Sequence, residues 1–210
     1  MLRMLMKVKR PYHIAKAIAD RVQELLAPHC EPGRCIIAGS VRRRQSMCGD
    51  IEIVCQPLTI PGQELDLFGE PLEAFRVDGF SDVVVDMFKG RVTVGDPTYG
   101  RYTSGLLAIK PAFGGGDMQV DIFTPQPSDF FRQLAIRTGS AEFSRMIATQ
   151  WVSKGWRGTE DGLRRADECE QRGGKYYLKQ GTTPTLPPIW NSEEEFFLWL
   201  GLQWAEPEIR

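Results

Sequence analysis

An acid–apolar–acid pattern in a β-like run constrains this chain more than any other feature. Residues 50–55 read Asp50-Ile51-Glu52-Ile53-Val54-Cys55, and side chains two apart on a strand point to the same face. Asp50 and Glu52 therefore lie side by side, with apolar neighbours burying the other face. Like charges held that close are unfavourable unless a cation sits between them. The pattern asks for a divalent metal, and hard oxygen ligands favour Mg²⁺ or Mn²⁺. Just upstream, the apolar segment Cys35-Ile36-Ile37-Ala38 stops at Gly39-Ser40, and Arg42, Arg43 and Arg44 follow. Gly39 lets the backbone approach a phosphate closely, and Ser40 can donate both N–H and O–H to phosphate oxygens. A neighbouring arginine brings forked donors to a leaving pyrophosphate.

Composition narrows the setting. A chain of 210 residues, 42% hydrophobic, suits one compact domain with an appendage or two small ones. A net charge of −1 gives no bulk signal for nucleic acid. Any such contact must come from local patches, either Arg3, Lys7, Lys9 and Arg10 or Arg42 to Arg44. The five cysteines, 30, 35, 48, 55 and 169, contain no CxxC pair and read as small buried thiols in a reducing compartment. Zinc is not expected, because only His13 and His29 could complete a site and the spacing fits no common pattern. No apolar stretch approaches ~20 residues, so no membrane span is expected. Met1 to Lys9 is too short for a secretory signal. The expected location is the cytoplasm.

The apolar spacing predicts a helix over His13 to Ala27, ended by Pro28, and then a strand over Cys35 to Ala38. Gly39-Ser40 opens a short basic helix or turn. Pro57 to Gly79 reads as a surface excursion with a helical turn around Pro71 to Phe75. The runs Val83 to Val85, Arg91 to Val94, Tyr102 to Ile109 and Met118 to Phe123 read as strands, with a flexible hairpin loop at Gly114 to Gly116. In the last run Gln119, Asp121 and Phe123 share a face, which makes Asp121 a lone acid in an apolar strand. Helices are expected over Ser128 to Arg137 and Ala141 to Lys154, interrupted by Thr138-Gly139-Ser140. Residues 155–190 read as turn-rich, with a strand at Lys175 to Leu178. Ser192 and Glu195 form a capping box for a final helix that Gly201 ends.

Two carboxylates on one strand and a third on another can hold two divalent cations, which clamp the attacking and leaving oxygens of an in-line displacement at phosphorus. Each part alone has a plainer reading. A D-x-E strand is commonly a solvated face, an arginine triplet a solvated surface run, and a Gly-Ser pair says little. The specific signal is the order: strand, Gly-Ser, arginines, Gly-Asp-x-Glu, and a later strand aspartate.

That order, Gly39-Ser40-Val41-Arg42-Arg43 and then Gly49-Asp50-Ile51-Glu52, resembles the nucleotidyltransferase signature of the family X DNA polymerases, the polymerase beta group. Asp121 in Val-Asp-Ile fits the third carboxylate of that family, and Thr138-Gly139-Ser140 fits its Thr-Gly-Ser turn. The ending Glu193 to Arg210 resembles the family's C-terminal helix and tail. The resemblance implies an α+β fold: a polymerase beta-like nucleotidyltransferase palm with a mixed β-sheet flanked by helices, plus a small C-terminal α/β subdomain. It implies a palm with an N-terminal helix over 1–137 and a nucleotide-selecting, thumb-like subdomain over 138–210. It also implies that Asp50, Glu52 and Asp121 are catalytic and hold two Mg²⁺ or Mn²⁺ ions, and that Gly39, Ser40, Arg43, Gly49, Thr138, Gly139 and Ser140 bind nucleotide. Ser140 equally fits a helix N-cap.

Several positions depart from the polymerases, among them Glu52, Gln119, the Ile136-Arg137 pair ahead of Thr138, and Ala141, Ser144 and Ala148. Glu52 stands where they usually carry Asp, and Gln119 stands where they commonly place Arg near the primer end. The family's N-terminal lyase and helix-hairpin-helix segments have no counterpart in the roughly thirty residues ahead of the signature. The expected activity is transfer of an NMP or dNMP from a nucleoside triphosphate to a nucleic-acid 3′-OH, with release of pyrophosphate. The alternatives are transfer to a protein or small molecule, and a non-catalytic nucleotide-binding module of the same fold.

Overall fold

Ala15, Ile18, Ala19, Val22 and Leu26 recur at three- to four-residue intervals, and they form the buried stripe of helix α1 (Tyr12–Leu26) in a computed structural model of the chain. The structure describes residues 8–60, 75–76, 78–96 and 101–210. The excursion expected between Pro57 and Gly79 falls largely outside them, as do Arg3 and Lys7. Contacts divide the chain into two units, 1–124 and 125–210. Among the described residues no helix is long and apolar enough to cross a membrane.

The first unit is built on a five-stranded mixed sheet. Its strands are β1 (Cys30–Ile37), β2 (Asp50–Pro57), β3 (Val92–Val94), β4 (Tyr102–Ala108) and β5 (Asp117–Phe123), in the spatial order β1-β2-β5-β4-β3. Only β2 and β5 run parallel; the other neighbours are antiparallel. The alternation along β2 sends Ile51, Ile53 and Cys55, all 0% exposed, to one face. Ile37, Met118, Val120 and Ile122 join that apolar face, and helix α1 packs into the same core cluster.

Val83-Val84-Val85 is where the sequence expectation fails. These residues lie in helix α3 (Asp78–Phe88), not in a strand, after the short α2 (Gly39–Arg42). Three β-branched residues in a row favour a strand locally, but Phe80, Val84 and Phe88 repeat every fourth residue and each is 1% exposed. Burying that stripe outweighs the local preference. Gly105 on β4 makes room for it: a Cβ there would come within 2.4 Å of the Phe88 ring.

Arg10 also departs from its expected role as a surface base. Its side chain is 6% exposed and donates to the Phe113, Gly115 and Asp117 carbonyls. It therefore holds the Gly114–Gly116 hairpin loop from within and leaves the basic patch.

The second unit carries all five tryptophans of the chain. Helices α4 (Phe130–Thr138), α5 (Ala141–Ser153) and α6 (Glu193–Leu200) share its core with the first of two hairpins. One pairs β6 (Trp156–Thr159) with β7 (Gly162–Arg165), and the other pairs β8 (Cys169–Arg172) with β9 (Lys175–Leu178). Of these strands only β9 was expected from the sequence. The β8–β9 turn is Gly173-Gly174 at φ 55° and 80°, and a two-residue glycine loop with both φ positive is a strong hairpin signal. At α6, Ser192 Oγ accepts from the Glu195 N–H at 3.2 Å, as the capping box requires. The Glu195 carboxylate accepts instead from the Asn191 N–H at 2.7 Å, one residue earlier than in the ideal box. Gly201 at φ 80° closes the helix.

Candidate active site

The register of the parallel pair assembles the carboxylates. Glu52 is the direct partner of Asp121, and Asp50 is the partner of Gln119. Side chains paired in this way share a face, so Asp50, Glu52 and Asp121 gather on the side of the sheet opposite Ile51 and Ile53. Asp50 and Glu52 are half-buried, and Asp121 is 7% exposed.

Asp121 is oriented by neutral donors. Gln119 Nε2 donates to Oδ1 at 3.0 Å and to Oδ2 at 3.1 Å, and Tyr102 OH donates to Oδ1 at 3.1 Å. A carboxylate has about four acceptor positions, so these bonds fix the side chain and still leave capacity for a cation. Gln119 is anchored in turn near Ser104 Oγ at 3.3 Å, while Tyr102 stacks on Phe123 with ring centroids 5.0 Å apart. The sequence places Gln119 on the face of Asp121 but does not point to Tyr102 or Ser104. Antiparallel register supplies them, since Tyr102 pairs with Phe123 and Ser104 with Asp121.

The Gly39–Ser40 turn presses on Glu52. The Ala38 N–H donates to the Glu52 carbonyl at 2.7 Å, which joins the end of β1 to the acidic strand. Gly39 has φ 61°, and a Cβ there would lie 2.1 Å from Glu52 Oε2. The backbone conformation thus favours glycine, and a side chain there would have to push the Glu52 carboxylate aside. The next residue carries an unmet polar group: Ser40 Oγ is buried without a hydrogen-bond partner. An orphaned buried hydroxyl costs free energy unless something accepts or donates there. Arg42 and Arg43 are half-buried at the end of the same turn, whereas Arg44 is exposed. Gly49 is under no comparable constraint, since an added Cβ would meet only Lys9 Cγ at 3.9 Å.

Thr138, Gly139 and Ser140 form a tight turn between α4 and α5 in the second unit. Thr138 is fully buried, and a Cβ on Gly139 would come within 2.6 Å of the Phe143 ring. Ser140 Oγ accepts from the Phe143 N–H at 3.2 Å, so the hydroxyl caps α5. Ser144 Oγ donates across the turn to the Ile136 carbonyl at 2.8 Å.

The donor set on the carboxylate face is all oxygen, which suits Mg²⁺ or Mn²⁺ and not a soft metal. With the orphaned Ser40 hydroxyl and the close Gly39 backbone beside it, the face fits a divalent cation together with an anionic oxygen ligand. The comparison with known families adds an independent observation from the other unit. Residues 133–210 match the family model described as the DNA polymerase beta thumb. The match includes the Thr138–Ser140 turn and the Glu193–Arg210 ending, and it supports a relation to the polymerase beta-like family X.

Proposed function

We propose that this chain is a metal-dependent nucleotidyltransferase of the family X type, moving an NMP or dNMP from a nucleoside triphosphate to a nucleic-acid 3′-OH and releasing pyrophosphate. The observation that carries the reading is the register of Glu52 against Asp121 with Asp50 two residues away, all on the face where Gly39 meets Glu52. The thumb match supports DNA or another nucleic acid as the acceptor.

Asp50, Glu52 and Asp121 would hold two Mg²⁺ or Mn²⁺ ions. When bound, such ions make the acceptor hydroxyl a better nucleophile and neutralise charge on the leaving oxygens. The chain's own residues do the positioning. Gln119 and Tyr102 keep Asp121 in one orientation, and a preset orientation costs nothing at the moment of reaction. Ser40 Oγ would donate to a phosphate oxygen and lose its orphan status, and Arg43 would bind the β- and γ-phosphates with its planar fork. Gly39 keeps side-chain bulk away from Glu52, and Gly49 leaves the neighbouring backbone open. Thr138, Gly139 and Ser140 would form the turn beneath sugar and base, with the Ser140 hydroxyl committed to capping. The palm is proposed within 1–137 and the nucleotide-selecting subdomain within 138–210. The proposed location is the cytoplasm.

The experiment supplies labelled dNTPs and NTPs with Mg²⁺ or Mn²⁺ and single-stranded, primed and gapped DNA and RNA. Extension of a 3′-OH is the expected result. Label on the protein itself or on a small molecule would transfer the chemistry to another acceptor. Tight nucleotide binding without pyrophosphate release would make the chain a binding module.

A further inference from the structure

The face of the sheet opposite the carboxylates holds a second chemical cluster. Cys35 on β1 and Cys55 on β2 are direct cross-strand partners, with their sulfurs 3.6 Å apart. The register shifts between Cys30 and Cys35, and this irregularity brings in the third thiol. The sulfurs of Cys30, Cys35 and Cys55 all lie within 4.8 Å of one another, and all three residues are buried. Helix α1 ends against them: the Cys30 thiol donates to the Leu26 carbonyl at 3.3 Å, and the Cys35 sulfur lies 4.0 Å from the Gln23 carbonyl. Carbonyls of a last helical turn carry the negative end of the helix dipole, which favours a cation beside them.

We propose that Cys30, Cys35 and Cys55 form a binding site for a soft, thiophilic divalent cation of the Zn²⁺ class. Three sulfurs each about 2.3 Å from one ion stand roughly 4 Å apart, so the observed cluster closes around an ion through small side-chain movements. Thiolate ligands select soft ions over Mg²⁺ or Mn²⁺, which keeps this site chemically distinct from the carboxylate face. The Leu26 carbonyl is the oxygen recorded at the Cys30 thiol and is a candidate fourth ligand. The histidines considered in the sequence are not needed. The third sulfur comes from the neighbouring strand, which spacing along the chain does not reveal.

A bound ion would tie the end of α1 to β1 and β2, the two strands that lead into Gly39 and carry Glu52. An ion that binds the folded state and not the unfolded one raises the melting temperature.

The full-length protein, reduced and stripped of metal, is titrated with Cd²⁺ alone and with Zn²⁺ alone. The expected result is a sulfur-to-Cd²⁺ charge-transfer absorption that saturates at one equivalent, three sulfur ligands by X-ray absorption, and a higher melting temperature. Asp121→Asn and Cys48→Ser should keep all three signals. Cys55→Ser should weaken binding by at least about tenfold. Cys30→Ser, at the edge of the cluster, tests the same point should Cys55→Ser fail to fold. Absence of the absorption, or full binding by Cys30→Ser, would overturn the proposal. So would a Cys35–Cys55 disulfide that forms under the reducing conditions, seen as loss of two hydrogens in the mass, with no metal uptake.

Discussion

The two units bury acidic groups in opposite ways. In the second unit each of the two buried acids meets a guanidinium: Asp129 with Arg132, both fully enclosed, and Glu193 with Arg210 at 2.6 Å. Aromatic rings close around these pairs, with the Arg210 guanidinium 4.9 Å from the Phe197 ring centroid and that of Arg132 5.6 Å from Trp151. In the first unit strand register brings three carboxylates of the same sign to one face, and Asp121 is met by an amide and a phenol. A pair of opposite charges is complete in itself and serves the fold. Carboxylates gathered on one face repel one another, and a bound cation relieves that repulsion. On the proposed function, the second unit's buried charges serve stability and the carboxylate face of the first serves chemistry.

Substitutions can break that division. Asp121→Asn preserves shape and can keep the bonds that Tyr102 and Gln119 donate to Oδ1, but it removes the charge and the Oδ2 acceptor; it should cut turnover by about 10³-fold or more while changing the melting temperature only slightly. Nucleotide incorporation and a thermal melt on the same preparation check this. Glu193→Gln should behave inversely. It leaves Arg210 buried against a neutral partner and should cost about 3–5 kcal/mol of stability, read by denaturant unfolding, with the activity of the folded fraction retained. If the first variant melts and the second only slows turnover, the assignment is reversed.

Gly39→Ala falls between these. The left-handed φ and the contact with Glu52 should displace that carboxylate, and a misplacement of about 1 Å near reacting groups costs roughly 10²-fold in rate. Ser140→Ala should have the smallest effect. Loss of the α5 cap costs about 1 kcal/mol and should hardly change incorporation. A large rise in KM for nucleotide would instead assign Ser140 a ligand contact.

What the sequence revealed follows the same division. The Asp50-Ile51-Glu52-Ile53 alternation names its own faces, and the structure keeps them. The pairing of Glu52 with Asp121 could not be read, because parallel register depends on the intervening chain and not on either strand. Tyr102 and Ser104 join the site through the antiparallel register of β4 against β5, and Gln119 through its place two residues from Asp121 on one strand. Val83 to Val85 misled because local β preference and fourth-residue burial pointed in different directions, and burial won. In the second unit Gly173-Gly174 marks a hairpin turn, and only the strand after it is expected from the sequence. The Glu193–Arg210 pair joins residues far apart in sequence, so no local pattern announces it.

The central claim is that the carboxylate face performs phosphoryl chemistry. Its most direct test is pyrophosphate release from a (d)NTP on a nucleic-acid primer, measured in Mg²⁺ for the unaltered chain and for Asp50→Asn. Release by the unaltered chain that disappears in the folded variant is the predicted result. Equal release by both proteins, or none by either on any primer in Mg²⁺ or Mn²⁺, would contradict it.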